Sequence, residues 1–83
     1  MDVVKMDGQR EPFVKEKIAV SAMKAGAIPD EARAIADEVE SGARDAMSTR
    51  EIRDQVLRKL RDRNPQWEQN WLVYDRAVKR RTP

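Results

Sequence analysis

The run from Val3 to Ile18, VVKMDGQREPFVKEKI, leaves this chain little choice about how it begins. Asp7-Gly8 is a two-residue hairpin signal, because both central positions of a type I′ turn need positive φ and these two residue types tolerate it. Residues 2–6 and 9–13 therefore read as two short antiparallel strands. Pro12 has no N–H to donate, so the second strand belongs at a sheet edge. A lone hairpin is marginal in water and must pack on something. The apolar spacing of Ile18, Ala19, Ala22 and Met23 supplies that support, as a helix over about residues 14–25. Folding the hairpin back onto this helix brings Lys5, Glu11 and Lys17 together, two cations and one anion beside a helix start.

Three more helices follow from the pattern downstream. Gly26 suits the left-handed position just past a helix end. Pro29 then opens a second helix over about 29–45, with Asp30 and Glu31 at its positive dipole end. Its stripe is Ala32, Ile35, Ala36, Val39 and Ala43. Ser48-Thr49-Arg50-Glu51 fits a capping box and starts a third helix over 49–63, with Ile52, Val56, Leu57 and Leu60 inward. Asn64-Pro65 ends it, because a residue before proline avoids the α region. A fourth helix over 65–80 carries Trp67, Trp71, Tyr74 and Val78 at core-like spacing. The expected fold class is α+β and mostly α: an N-terminal hairpin capping a bundle of four short helices in one domain, residues 1–83.

Composition narrows the function. The chain has 83 residues, of which 40% are hydrophobic and 39% charged. It has neither cysteine nor histidine, so disulfides, thiolate metal sites and the commonest general base are excluded. No phosphate-binding glycine loop is present, and catalysis is not expected. No apolar run approaches the length of a membrane span and no leader pattern is visible, which predicts a cytoplasmic protein. The charge is uneven. Residues 27–47 hold two basic and six acidic side chains, whereas residues 48–83 hold ten basic and five acidic. An acidic middle and a basic end can attract each other within the fold, or the basic end can face phosphates.

The N-terminal run resembles the ATP-cone, the nucleotide-sensing domain of ribonucleotide reductases and of their bacterial transcriptional repressor. The family pattern is roughly V-x-K-R-D-G-x-x-E-x-F-x-x-x-K-I. Here Val3, Lys5, Asp7, Gly8, Glu11, Phe13, Lys17 and Ile18 stand in register with it, and Met6 takes the place of the arginine. Ser48-Thr49-Arg50-Glu51-Ile52 is similar to the family's start of the third helix. Val73-Tyr74-Asp75-Arg76-Ala77 looks like its aromatic-x-Arg stretch. The resemblance implies a nucleotide site at Val3, Lys5, Met6, Glu11, Lys17 and Thr49. Lys5, Lys17 and Thr49 would contact the nucleotide, and Glu11 would serve its base side.

The expected function is thus a free-standing cone that binds ATP or dATP, with Mg²⁺ accompanying the nucleotide. It reports to an unidentified protein partner in trans or by self-association. Met6 offers no donors, so weakened affinity is expected. Two alternatives stand beside this reading. One is a degenerate cone kept as a protein-interaction module. The other is a small nucleic-acid binder using Arg50, Arg53, Arg58, Lys59, Arg61 and Arg63. For each site residue a plainer role is available: lysines on the surface, Glu11 paired with Lys5 or Lys17, and Thr49 or Ser48 as a helix cap.

Overall fold

The N-terminal hairpin closes through a three-residue loop. In the computed structural model, which describes the backbone of residues 1–80 and the side chains through Arg76, the Gly8 N–H donates to the Lys5 carbonyl at 2.9 Å. The Lys5 N–H donates to the Gln9 carbonyl at 2.8 Å. Of the turn residues Gly8 takes positive φ, +87°, and Asp7 does not. This corrects the expected type I′ turn: the pattern is that of a longer hairpin loop ending in a left-handed glycine. Asp7 contributes differently, since its carboxylate accepts the Gln9 N–H at 3.0 Å and closes the turn through its side chain. The strands are correspondingly shorter than expected, β1 at Asp2–Val4 and β2 at Arg10–Pro12. Val3 pairs with Glu11, and Pro12 lies on the edge strand as its missing N–H requires.

The remaining elements are α1 (Lys15–Lys24), α2 (Pro29–Gly42), β3 (Met47–Ser48), α3 (Thr49–Arg63) and α4 (Pro65–Arg80). The fold is mostly helical with a small N-terminal sheet, α+β as the sequence predicts. The third strand is the unexpected element. It lies parallel to β1, pairing Val3 with Met47 and Val4 with Ser48, and makes the sheet order β2-β1-β3. To reach it, α2 stops at Gly42 rather than near residue 45. Ala43 turns extended and Ala46 adopts φ +65°. The Ala46 N–H then donates to the Asp2 carbonyl at 2.9 Å, and the Asp2 N–H donates to Asp45 Oδ1 at 3.0 Å. Ala43 therefore leaves the α2 stripe. Met47, which no periodicity marks, is buried.

The core forms where the helical stripes meet. Ile18, Ala19 and Ala22 from α1, Ala32, Ile35, Ala36 and Val39 from α2, and Val56 and Leu60 from α3 make one buried cluster. Phe13, Ile52, Trp67 and Trp71 pack against it. The small alanines let α1 and α2 approach closely. Gly26 ends α1 at φ +116°, with its N–H on the Met23 carbonyl and the Ala27 N–H on the Ala22 carbonyl. This is the double bond pattern of a left-handed C-cap. The Trp67 ring fills the space beside it, so a Cβ on Gly26 would stand 3.1 Å from Trp67 Cδ1. Asn70 Nδ2 donates to the Ala25 carbonyl at 2.9 Å and pins α4 to the same corner. Val78 lies outside the described side chains.

Much of the charge asymmetry is settled inside the fold. Arg63 reaches from α3 to Glu31 at 2.6 Å and to Glu38 at 2.5 Å on α2, and Lys59 meets Glu38 at 3.4 Å. The Arg63 hydrogen bond holds the Glu38 carboxyl below its ordinary value, and Glu38 in turn holds the Arg63 guanidinium above its own.

Candidate functional site

The hairpin, the start of α1 and the start of α3 converge. Ser48 is the N-cap of α3, its hydroxyl accepting the Glu51 N–H at 3.1 Å. The capping role expected of Ser48 or Thr49 thus falls to Ser48. Thr49 stands at the first helical position, half-buried, where the free N–H groups of the helix start favour anions. Parallel pairing of β3 with β1 sets this helix start against the hairpin.

Two hollows meet at Thr49. The smaller, of about 130 Å³, is lined by Val3, Glu11, Phe13, Lys17, Ile18 and Ile52 together with Thr49, Pro12 and Val14. It is apolar apart from Glu11, Lys17 and the threonine. The larger, of about 580 Å³, is lined by Lys5, Met6, Thr49, Arg50, Arg53, Trp71 and Asp75. That volume is within the range of about 300–1,000 Å³ usual for small-molecule sites. All six residues singled out in the sequence therefore line one hollow or the other. Val3, Glu11 and Lys17 fall on one side, Lys5 and Met6 on the other, and Thr49 borders both.

Two expectations about these residues are corrected. With residues 2–6 read as one strand, Lys5 and Met6 would alternate to opposite faces. They lie beyond the end of β1, inside the turn, and both border the larger hollow. Strand alternation does not reach them. Nor does Glu11 form an ion pair with Lys5 or Lys17 among the described residues: the two lysines stand in different hollows, and Glu11 shares only Lys17's. Met6 is 93% exposed, so its side chain covers no core surface.

The larger hollow also holds residues that hairpin-based reasoning does not reach. Arg53 lies four residues after Thr49 on the same face of α3, and Asp75 lies four after Trp71 on α4. The i, i+4 spacing is the signal that ties each pair together. The Arg53 guanidinium stands 5.7 Å from the centre of the Trp71 ring and 3.6 Å from Asp75 Oδ2. Trp71 thus packs on the core and also borders the site. This arrangement suits an elongated anion with one apolar end. It presents three cations, Lys5, Arg50 and Arg53, and among the described residues no group of three or more acidic side chains could hold a metal ion.

A family model for the ATP cone domain matches residues 1–79. The chain belongs to the ATP-cone family. The cone is a nucleotide-sensing regulatory domain. Comparison with curated proteins finds no match. Among the described residues of this cone, no helix is long and apolar enough to cross a membrane.

Proposed function

We propose that this cone binds a purine nucleoside triphosphate, ATP or dATP, across the two hollows and passes its bound state to a protein partner. The observation that carries the reading is the shared position of Thr49. A ligand lying over the start of α3 touches both hollows, and its anionic part meets the positive helix end. Glu11 would repel phosphates, so the smaller hollow takes the base and ribose. There Glu11 accepts from an adenine amino group or a ribose hydroxyl, and Phe13 and Val3 supply apolar contact. The larger hollow takes the triphosphate, opposite Lys5, Arg50 and Arg53. Mg²⁺ comes with the phosphates, since it keeps most of its waters and needs few protein ligands.

Met6 weakens this site. A guanidinium in its place would add a charge-assisted contact worth about 1.5–3 kcal/mol, or one to two decades of affinity. That substitution is also what favours the second reading, a cone whose fold persists as an interaction module. Val20, Met23 and Val73 are 44%, 40% and 66% exposed on α1 and α4. Exposed apolar side chains suit a protein partner acting in trans, or self-association, better than a nucleic acid. The basic side of α3 is in part committed elsewhere, with Lys59, Arg61 and Arg63 each on a carboxylate. Calorimetric titration with ATP and dATP tests the proposal. Binding that Lys17→Gln and Thr49→Ala each weaken severalfold supports it. Heat indistinguishable from dilution at millimolar ATP leaves the interaction module as the function.

A further inference from the structure

We propose that Asp45 is a positioning residue of the nucleotide site: by gripping Asp2 it fixes the register of β3 on β1 and so sets Thr49 against the hairpin. The inference rests on the nucleotide reading above and names what holds the two sides of that site together. It starts from a ladder too short to fix itself. β3 pairs with β1 through Val3 with Met47 and Val4 with Ser48. One step further in the same direction stand Lys5 and Thr49, which both line the larger hollow. Val3 and Thr49 both line the smaller one. A slip of one residue would turn Met47, 2% exposed, out of the core and carry Thr49 away from Lys5.

What opposes the slip lies in the link before β3. Asp45 Oδ1 accepts the Asp2 N–H at 3.0 Å, and the Ala46 N–H donates to the Asp2 carbonyl at 2.9 Å. Asp2 is thus held at both backbone groups by two adjacent residues, and the two bonds together fit one register of β3. The hydrogen bond from the Asp2 N–H holds the Asp45 carboxyl below its ordinary value. Arg10 on β2 braces both carboxylates, 3.6 Å from Asp45 Oδ2 and 3.9 Å from Asp2 Oδ2. On the other side of the link, Arg44 Nη2 meets Glu51 Oε2 at 2.7 Å, and the Glu51 N–H is the one that Ser48 caps. Arg44, Asp45 and Ala46 therefore tie the hairpin to the first turn of α3. The grip has a cost in backbone conformation. Ala46 stands at φ +65°, where a residue with a Cβ is strained. Such strain persists only where neighbouring contacts fix it, and it gathers beside functional sites. The hollows themselves are lined by other residues, so Asp45 acts through Asp2 and β3.

The test separates position from stability. ATP binding to the whole chain is measured by calorimetry, and stability by urea unfolding, for the unchanged protein, Asp45→Ala, Asp45→Asn and Arg63→Gln. Arg63→Gln removes a clamp between α2 and α3 that lies away from the link and from both hollows, so it lowers stability alone. Asp45→Ala should raise the ATP Kd about fivefold or more. Asp45→Asn keeps an acceptor oxygen for the Asp2 N–H and should stay within about twofold of the unchanged protein, as should Arg63→Gln. Amide hydrogen exchange gives a readout that needs no variant. Coupling between the Asp2 grip and the site is reciprocal, so saturating ATP should slow exchange of the Ala46 amide at least about fivefold in the unchanged protein. An unaltered ATP Kd in Asp45→Ala, or a loss that Arg63→Gln or Asp45→Asn reproduces in full, would overturn the assignment while leaving nucleotide binding intact. Ala46 exchange that ATP does not slow would also overturn it, including in the case where Asp45→Ala does not fold. Absence of binding by the unchanged protein would instead overturn the nucleotide reading beneath it.

Discussion

Single residues decide most of what is unusual in this cone. Met6 stands where the family pattern has an arginine, and it is almost fully exposed. Met6→Arg should therefore tighten ATP about tenfold, at the low end of a charge-assisted contact because Arg53 already faces the same hollow. The melting temperature should stay the same, and calorimetry with differential scanning fluorimetry checks both halves. Gly26 behaves in the opposite way, important to the fold and remote from the ligand. Its φ of +116° strains any L-residue, and a Cβ would press on the Trp67 ring at 3.1 Å. Gly26→Ala should lose at least about 1–2 kcal/mol of stability in urea unfolding, the cost of left-handed backbone for an L-residue. Ser48→Ala removes the acceptor that caps α3 and should lose about 0.5–2 kcal/mol in the same assay.

At the scale of elements, α2 and α3 are clamped by charge. Arg63 bridges Glu31 and Glu38, and the bridge depresses the Glu38 carboxyl below its ordinary 4.5. A depressed carboxyl stabilises the fold fully above its unfolded value. That contribution is lost as pH falls from about 4.5 down through the folded value. Stability should thus drop on acidification below about pH 4.5, and Arg63→Gln should flatten this slope when urea midpoints are compared from pH 3 to 7. The loss at neutral pH should be small, about 0.5–1 kcal/mol, because both carboxylates are substantially exposed and solvent screens them. The same scale shows what sequence could and could not reveal. The helices were legible because their stripes run for three or four turns, as in Ala32, Ile35, Ala36 and Val39. The ends at Gly26 and Ser48 were legible because capping chemistry is local. β3 was not, since a two-residue strand has no period and exists only by pairing with β1. Ala46 gave no warning either, because alanine does not announce positive φ. The hairpin loop was read one residue too short, because Asp7 closes it with its carboxylate rather than with its backbone.

At the scale of the whole molecule, the site is an outcome of topology. Parallel pairing of β3 with β1 places the start of α3 against the hairpin. The packing of α4 on α3 then walls the larger hollow with Trp71 and Asp75. The hairpin reading grouped Lys5, Glu11 and Lys17, the family resemblance added Val3, Met6 and Thr49, and the fold separates these residues between the two hollows. The i, i+4 spacing ties Arg53 to Thr49, but nothing near Arg53 in the chain marks α4 as its neighbour. In the proposed function one purine nucleotide lies across Thr49 and touches both hollows at once. A two-dimensional amide NMR titration with ATP measures this most directly. Concerted shifts are expected at Val3, Glu11 and Lys17 on one side and at Lys5, Thr49 and Arg53 on the other, following a single binding curve. Shifts confined to one hollow, or none at millimolar ATP, would contradict it.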